Sequence, residues 1–151
     1  LTINRGKTHG ITAGRVVASG FNLVGQVTDA GPMTATVQLI TQPAPSDRMI
    51  VDVVPAVAGT APRRFTAEIV HQGDGTFVGE AKADGQVRVG DLAHLSDPTW
   101  PREARGFVVG RVVSIDPHPD SILRREFTVK PIRDLNRLVQ VFVLVPAGGG
   151  R

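Results

Sequence analysis

The sequence predicts an all-β chain of two small packed β-barrels built from a tandem pseudo-repeat, and three observations predict it. Apolar residues alternate or run in short blocks rich in Val, Ile, Phe and Thr, with no sustained stripe at helical spacing. Among the 151 residues, 17 Gly and 11 Pro interrupt those blocks at short intervals, the punctuation of a sandwich or barrel. One glycine-centred strand also occurs twice, as Leu23-Val24-Gly25-Gln26-Val27 and as Val108-Val109-Gly110-Arg111-Val112. A Gly inside an apolar strand marks a bulge, a barrel corner or a close backbone crossing.

The repeat extends around that centre. Thr2-Ile3-Asn4 and Gly10-Ile11-Thr12-Ala13-Gly14-Arg15-Val16-Val17 precede the first copy. Thr76-Phe77-Val78 and Gly85-Gln86-Val87-Arg88-Val89-Gly90-Asp91-Leu92 precede the second. Downstream, the strand ending at Pro55 answers the one ending at Pro146. The order holds and only the loops change length, which is the mark of internal duplication.

Taken in order, residues 1–60 form the first barrel. Gly6, Gly10 and Gly14 break its opening into short turns, and strands follow near Arg15–Ala18, Leu23–Ala30, Ala35–Thr41 and Met49–Val54. Gln42–Asp47 is a Pro-restricted loop, and Pro55–Arg64 is a connector. Residues 61–146 form the second barrel. Phe65–His71 and Thr76–Lys82 make a hairpin across Gln72-Gly73-Asp74-Gly75, where Asp-Gly is the turn signal. A long loop, Asp97–Gly106, holds the single Trp. The last strand, 137–145, either closes the second barrel or returns to the first. Residues 147–151, ending in three glycines and Arg151, read as a disordered tail.

Composition narrows the function. Without Cys the fold cannot rest on disulfides. No run of 18 apolar residues is present to span a bilayer as a helix. The chain opens at Leu1 on a strand-like segment without a leader, as an excised domain does, which places any targeting or anchoring element outside it. The net charge of +3 comes from the second half, where ten Lys and Arg face seven Asp and Glu from Arg88 onward. That field is too mixed to imply nucleic acid.

Chemistry-bearing residues are sparse. Paired barrels raise a protease-like hydrolase, which needs a Ser, a His base and an orienting Asp. His9, His71, His94 and His118 are present, but Ser19 and Ser96 sit in turn sequences and no Gly-Asp-Ser-Gly occurs. Asp116-Pro117-His118-Pro119-Asp120 is a Pro-extended turn whose side chains diverge, and no second cluster completes a metal site. Gly73-Asp74-Gly75 lacks the Lys and helix start of a phosphate loop. No catalytic, cofactor or metal residue is therefore assigned. An RNA-binding barrel is the other alternative, without the clustered aromatics that stack bases. The partner-binding candidates are Phe21, Trp100, Phe107, Arg124 and Arg125. Trp100, bracketed by Pro98 and Pro101, either plugs a barrel end or anchors a partner.

The ordered motifs resemble the extracytoplasmic region of the bacterial rod-shape-determining MreC family, from Leu1 to Pro146. They are Ile3-Asn4-Arg5-Gly6, Gly14-Arg15-Val16-Val17, Leu39-Ile40-Thr41-Gln42-Pro43, Val89-Gly90-Asp91-Leu92, Trp100-Pro101, Val109-Gly110-Arg111-Val112 and Asp134-Leu135-Asn136-Arg137-Leu138. The chain departs from the family at Leu95-Ser96-Asp97-Pro98 and at Val108, where a Ser-Gly-rich turn and a Pro are common. The resemblance implies two packed barrels and a non-enzymatic, self-associating scaffold without cofactor. It also implies a penicillin-binding protein and other membrane proteins of the elongation complex as partners. Its place would be the periplasm, anchored to the inner membrane by an upstream helix and coiled coil.

Overall fold

The computed structural model describes residues 1–42, 48–56, 65–82, 87–138 and 140–144. Eleven strands run β1 (Thr2–Ile3), β2 (Val16–Ser19), β3 (Asn22–Ala30), β4 (Ala35–Leu39), β5 (Arg48–Val54), β6 (Phe65–His71), β7 (Phe77–Lys82), β8 (Leu92–Leu95), β9 (Val108–His118), β10 (Ser121–Lys130) and β11 (Phe142–Leu144). The other regular pieces among the described residues are three short 3₁₀ turns, at Lys7–His9, Arg102–Ala104 and Leu135–Arg137. The fold is all-β, as the alternation of apolar residues requires.

Six strands close a barrel in the order β9-β10-β7-β6-β5-β8, with β8 returning to β9, and every pairing is antiparallel. Five further strands lie beside it in the order β1-β4-β3-β2-β11. The two sets meet where β3 runs parallel to β9 at Asn22 and Val108, and the Val108 amide donates to the Phe21 carbonyl at 2.7 Å. The second set is not closed: among the described residues no ladder joins β1 to β11, where the sequence predicts a complete barrel.

The repeated glycine strand has a physical cause. The β2–β3 register slips between Val17 and Ala18, leaving Val24 as the extra residue opposite them. The β8–β9 register slips between Ala93 and His94, leaving Val109 extra. Each bulge turns two adjacent apolar side chains inward, which is why Leu23-Val24 and Val108-Val109 break strict alternation while all four are buried. The next residue crosses its neighbour so closely that only Gly fits. A Cβ on Gly25 would stand 1.9 Å from the Gln38 carbonyl oxygen, and one on Gly110 would stand 2.5 Å from that of Lys130. Ahead of each strand a left-handed Gly makes the same bond, Gly14 N–H to Val27 O at 2.7 Å and Gly90 N–H to Val112 O at 2.8 Å.

One expected grouping changes. The sequence places Met49–Val54 with the first repeat, yet β5 pairs with β6 and β8, inside the closed barrel. Its Met49, Val51 and Val53 are buried there. The edge of β2 that this strand would have occupied is taken by β11, with Val143 opposite Val17. Each set is thus completed by the strand that follows the other set in sequence. The core is continuous across both, with Phe77, Phe127, Leu23, Ile69 and Leu95 its largest fully buried side chains. Phe65 meets Phe127 edge-on at 5.9 Å. The Pro-rich loop beyond Gln42, most of the connector to Arg64 and the glycine tail lie outside the described residues.

Candidate functional site

The five candidate residues occupy three places. Phe21 stands at the β2–β3 turn with 85% of its surface exposed. Phe107, on the strand start beside it, is half-buried and packs against the core. The Val108-to-Phe21 backbone bond brings these two aromatics to the same end of the molecule, one outside and one holding the wall.

Trp100 also packs against the core, half-buried. It lines a cleft of about 390 Å³ between the two strand sets, with Gln26 and Gln38 on one side and Met49, His71 and Phe77 on the other. Its loop is held by Asp97, which is buried. One Asp97 carboxylate oxygen accepts from the Ile50 amide at 3.0 Å. The other accepts from the Thr99 amide at 2.9 Å and the Thr99 hydroxyl at 2.6 Å. Burial alone would raise the Asp97 pKa, but those donors outweigh it and hold the carboxyl below its ordinary value. The loop is anchored by one ionised group, whose own backbone carbonyl accepts from the Trp100 amide at 3.2 Å.

Arg124 and Arg125 stand at the far end of the β10–β7 ladder, opposite Lys82 and Ala81. Phe127 and Val129 share strand parity with Arg125 and are buried, whereas Arg125, opposite Ala81 of β7, is exposed. Arg124 donates to Glu80 at 2.9 Å, and the same carboxylate accepts from His118 Nε2 at 2.9 Å. The His118 hydrogen bond, with Arg124 beside it, keeps the Glu80 carboxyl below its usual range. His118 Nδ1 accepts from the Asp120 amide at 3.0 Å, so the ring braces the hairpin turn. At the tip, Ile122 is 95% and Leu123 74% exposed. Sequence reasoning missed this pair. Its signal was an apolar dipeptide just beyond the turn sequence Pro119-Asp120-Ser121, with Arg124 on its other side.

The histidines hold backbone. Gly6 N–H donates to His9 Nδ1 at 3.1 Å, and His94 Nδ1 meets the Gly106 carbonyl at 2.9 Å. His71 donates from Nε2 to the Thr41 carbonyl and accepts at Nδ1 from Gly73 at 3.1 Å, tying the barrel to the end of β4. Among the described residues, no serine hydroxyl bonds a histidine ring, and no three His, Asp or Glu are grouped to hold an ion. What the arrangement offers is surface: an exposed aromatic at one turn, a Trp-lined cleft and an apolar hairpin tip backed by two arginines.

Comparison with known proteins follows this geometry. The family model described as rod shape-determining protein MreC, barrel core, matches residues 1–145. The chain is similar to the solved structure of MreC from Pseudomonas aeruginosa, at 22% identity and TM-score 0.73, covering 95% of this chain and 87% of that one. It is similar to MreC of Listeria monocytogenes at 20% identity and TM-score 0.70, covering 94% of this chain and 65% of that one. A third is the major periplasmic domain of the cell shape-determining filament MreC, at 20% identity and TM-score 0.58, covering 89% and 78%. No curated protein sequence matches the chain significantly.

Proposed function

The chain belongs to the rod shape-determining MreC family, and from that premise we propose that it is a non-enzymatic scaffold of the cell-elongation machinery. The family match along residues 1–145 carries this reading. The scaffold works outside the cytoplasm, as the similarity to a periplasmic domain supports. Among the described residues no helix is long and apolar enough to cross a membrane, so the proposal assigns membrane attachment to polypeptide outside this chain.

The proposed mechanism is recognition by preformed surface. Scaffolds gain from rigidity because a partner then loses little entropy in ordering the contact. Here the bulged strands, the Asp97-anchored loop and the core shared by both strand sets supply that rigidity. The contact residues are Phe21, Ile122 and Leu123, with Arg124 and Arg125 giving the hairpin tip a charged rim. Trp100 and Phe107 shape the walls behind, and Trp100 presents its free side to the cleft. The partners proposed are a second copy of the chain, a peptidoglycan-synthesising penicillin-binding protein and other membrane proteins of the complex.

Crosslinking and affinity capture with the immobilised chain test this. Recovery of a cell-wall synthase, lost on Ile122→Ser with Leu123→Ser, is the expected outcome. Finding neither self-association nor a synthase with the parent chain contradicts it.

A further inference from the structure

The cleft between the two strand sets joins amide side chains to an aromatic ring. Gln26 of β3 and Gln38 of β4 are directly opposed in register, so both side chains project from one face of the five-stranded set into the cleft. Gln42 follows beyond the end of β4. On the barrel side stand the half-buried Trp100 and an apolar wall of buried Met49 and Phe77. At about 390 Å³, the space is of the size that takes a small molecule, about 300–1,000 Å³.

The polar capacity left in the cleft is neutral. Gln26 Nε2 donates to the Gly14 carbonyl at 3.3 Å, which leaves its amide oxygen able to accept. Gln42 Oε1 accepts from the Leu39 amide at 3.0 Å, which leaves its amide NH₂ able to donate. Both nitrogens of His71 are held, by the Thr41 carbonyl and the Gly73 amide, so the ring offers no base. The Thr99 hydroxyl bonds Asp97 and the Thr28 hydroxyl bonds Thr36. Among the described lining residues there is no carboxylate, and the one guanidinium, of Arg48, is ion-paired with Glu68 at 2.7 Å. A charged ligand therefore meets no unpaired counter-charge. A peptide strand meets no open edge, because β3 and β5, on either side, each have partner strands along both edges.

We propose that this cleft is a binding site for a neutral sugar ring, one residue of a glycan. A pyranose presents a face of C–H groups and a rim of hydroxyls, each of which both donates and accepts. The C–H face packs on the Trp100 ring, whose large apolar area suits it. The rim meets an acceptor at Gln26 and a donor at Gln42. Sugar binding of this kind gives the molecule a hold on carbohydrate as well as on protein, and it stands on the cleft alone rather than on the scaffold reading.

Trp100 is the single Trp of the chain, so its fluorescence reports on the cleft without a label. Titration with tri-N-acetylchitotriose should give a saturable change in emission, with NMR shifts of the Gln26 and Gln42 side-chain amides at the same concentrations. Gln26→Leu keeps the bulk and removes the amide. It should weaken binding about five- to tenfold, the loss of one hydrogen bond, with an unfolding midpoint close to the parent's. If that variant does not fold, the amide shifts in the parent chain decide the matter. No saturable change in emission and no shift at those amides overturns the proposal. So does equal affinity in a folded Gln26→Leu variant, or tighter binding of adenosine than of the sugar. Synthase capture is read separately, so this inference and the scaffold reading fail independently.

Discussion

Gly25 shows how much one residue decides. Its Cα faces the Gln38 carbonyl of β4 so closely that any Cβ would have to displace backbone rather than a side chain. Gly25→Ala should therefore destabilise the chain by about 3 kcal/mol or more, the upper range for overpacking, read as a fall in urea midpoint. Gly14→Ala has open space and meets only the cost of its left-handed backbone, about 1–2 kcal/mol. Asp97 makes a prediction about pH. Its folded pKa lies below the ordinary 3.8, so the stability it contributes is present above that value and lost as pH falls through the folded one. Asp97→Asn should cost about 1–2 kcal/mol at neutral pH, and the gap to the parent chain should narrow below pH 3.8. A gap that is constant with pH would show that the carboxylate charge is not what anchors the Trp100 loop.

At the scale of elements, the sequence discloses what is local. The bulged strands around Gly25 and Gly110 and the Asp-Gly hairpin from Phe65 to Lys82 are legible because bulge and turn chemistry act between neighbours. The destinations of β5 and β11 are not. Met49-Ile50-Val51-Asp52-Val53-Val54 and Phe142-Val143-Leu144 offer similar alternating edges, so either could complete either set. The choice rests on pairing across long stretches of chain. The hairpin tip was hidden for another reason: alternation shows which side a residue faces, but not whether a wall stands opposite. Ile122 and Leu123 lie in the register shift between Ser121 and Arg125, where three residues of β10 face no partner on β9 and both side chains stand in solvent. Ile122→Ser with Leu123→Ser should leave the unfolding midpoint within about 0.5 kcal/mol of the parent, since exposed side chains carry little folding energy.

For the whole molecule, the exchanged closing strands set the cooperativity. β5 crosses from the end of β4 into the barrel, and β11 comes back from the end of the barrel to β2. With one continuous core, neither set can unfold while leaving the other's edge covered. Val17→Ala in the five-stranded set and Val51→Ala in the barrel should each lower one common thermal transition. Two separated transitions, each moved by one substitution alone, would show that the sets are independent. The same interlock ties the Trp100 cleft and the β9–β10 hairpin to one core.

The scaffold reading stands or falls on whether the surface is gripped. Sedimentation equilibrium of the chain across micromolar concentrations, beside the Ile122→Ser, Leu123→Ser variant, is the most direct measurement. The reading predicts concentration-dependent assembly of the parent chain and a shift of the equally stable variant toward monomer. A parent chain that stays monomeric throughout and captures no cell-wall synthase would contradict it, and a variant that assembles as readily as the parent would remove the hairpin tip from the contact.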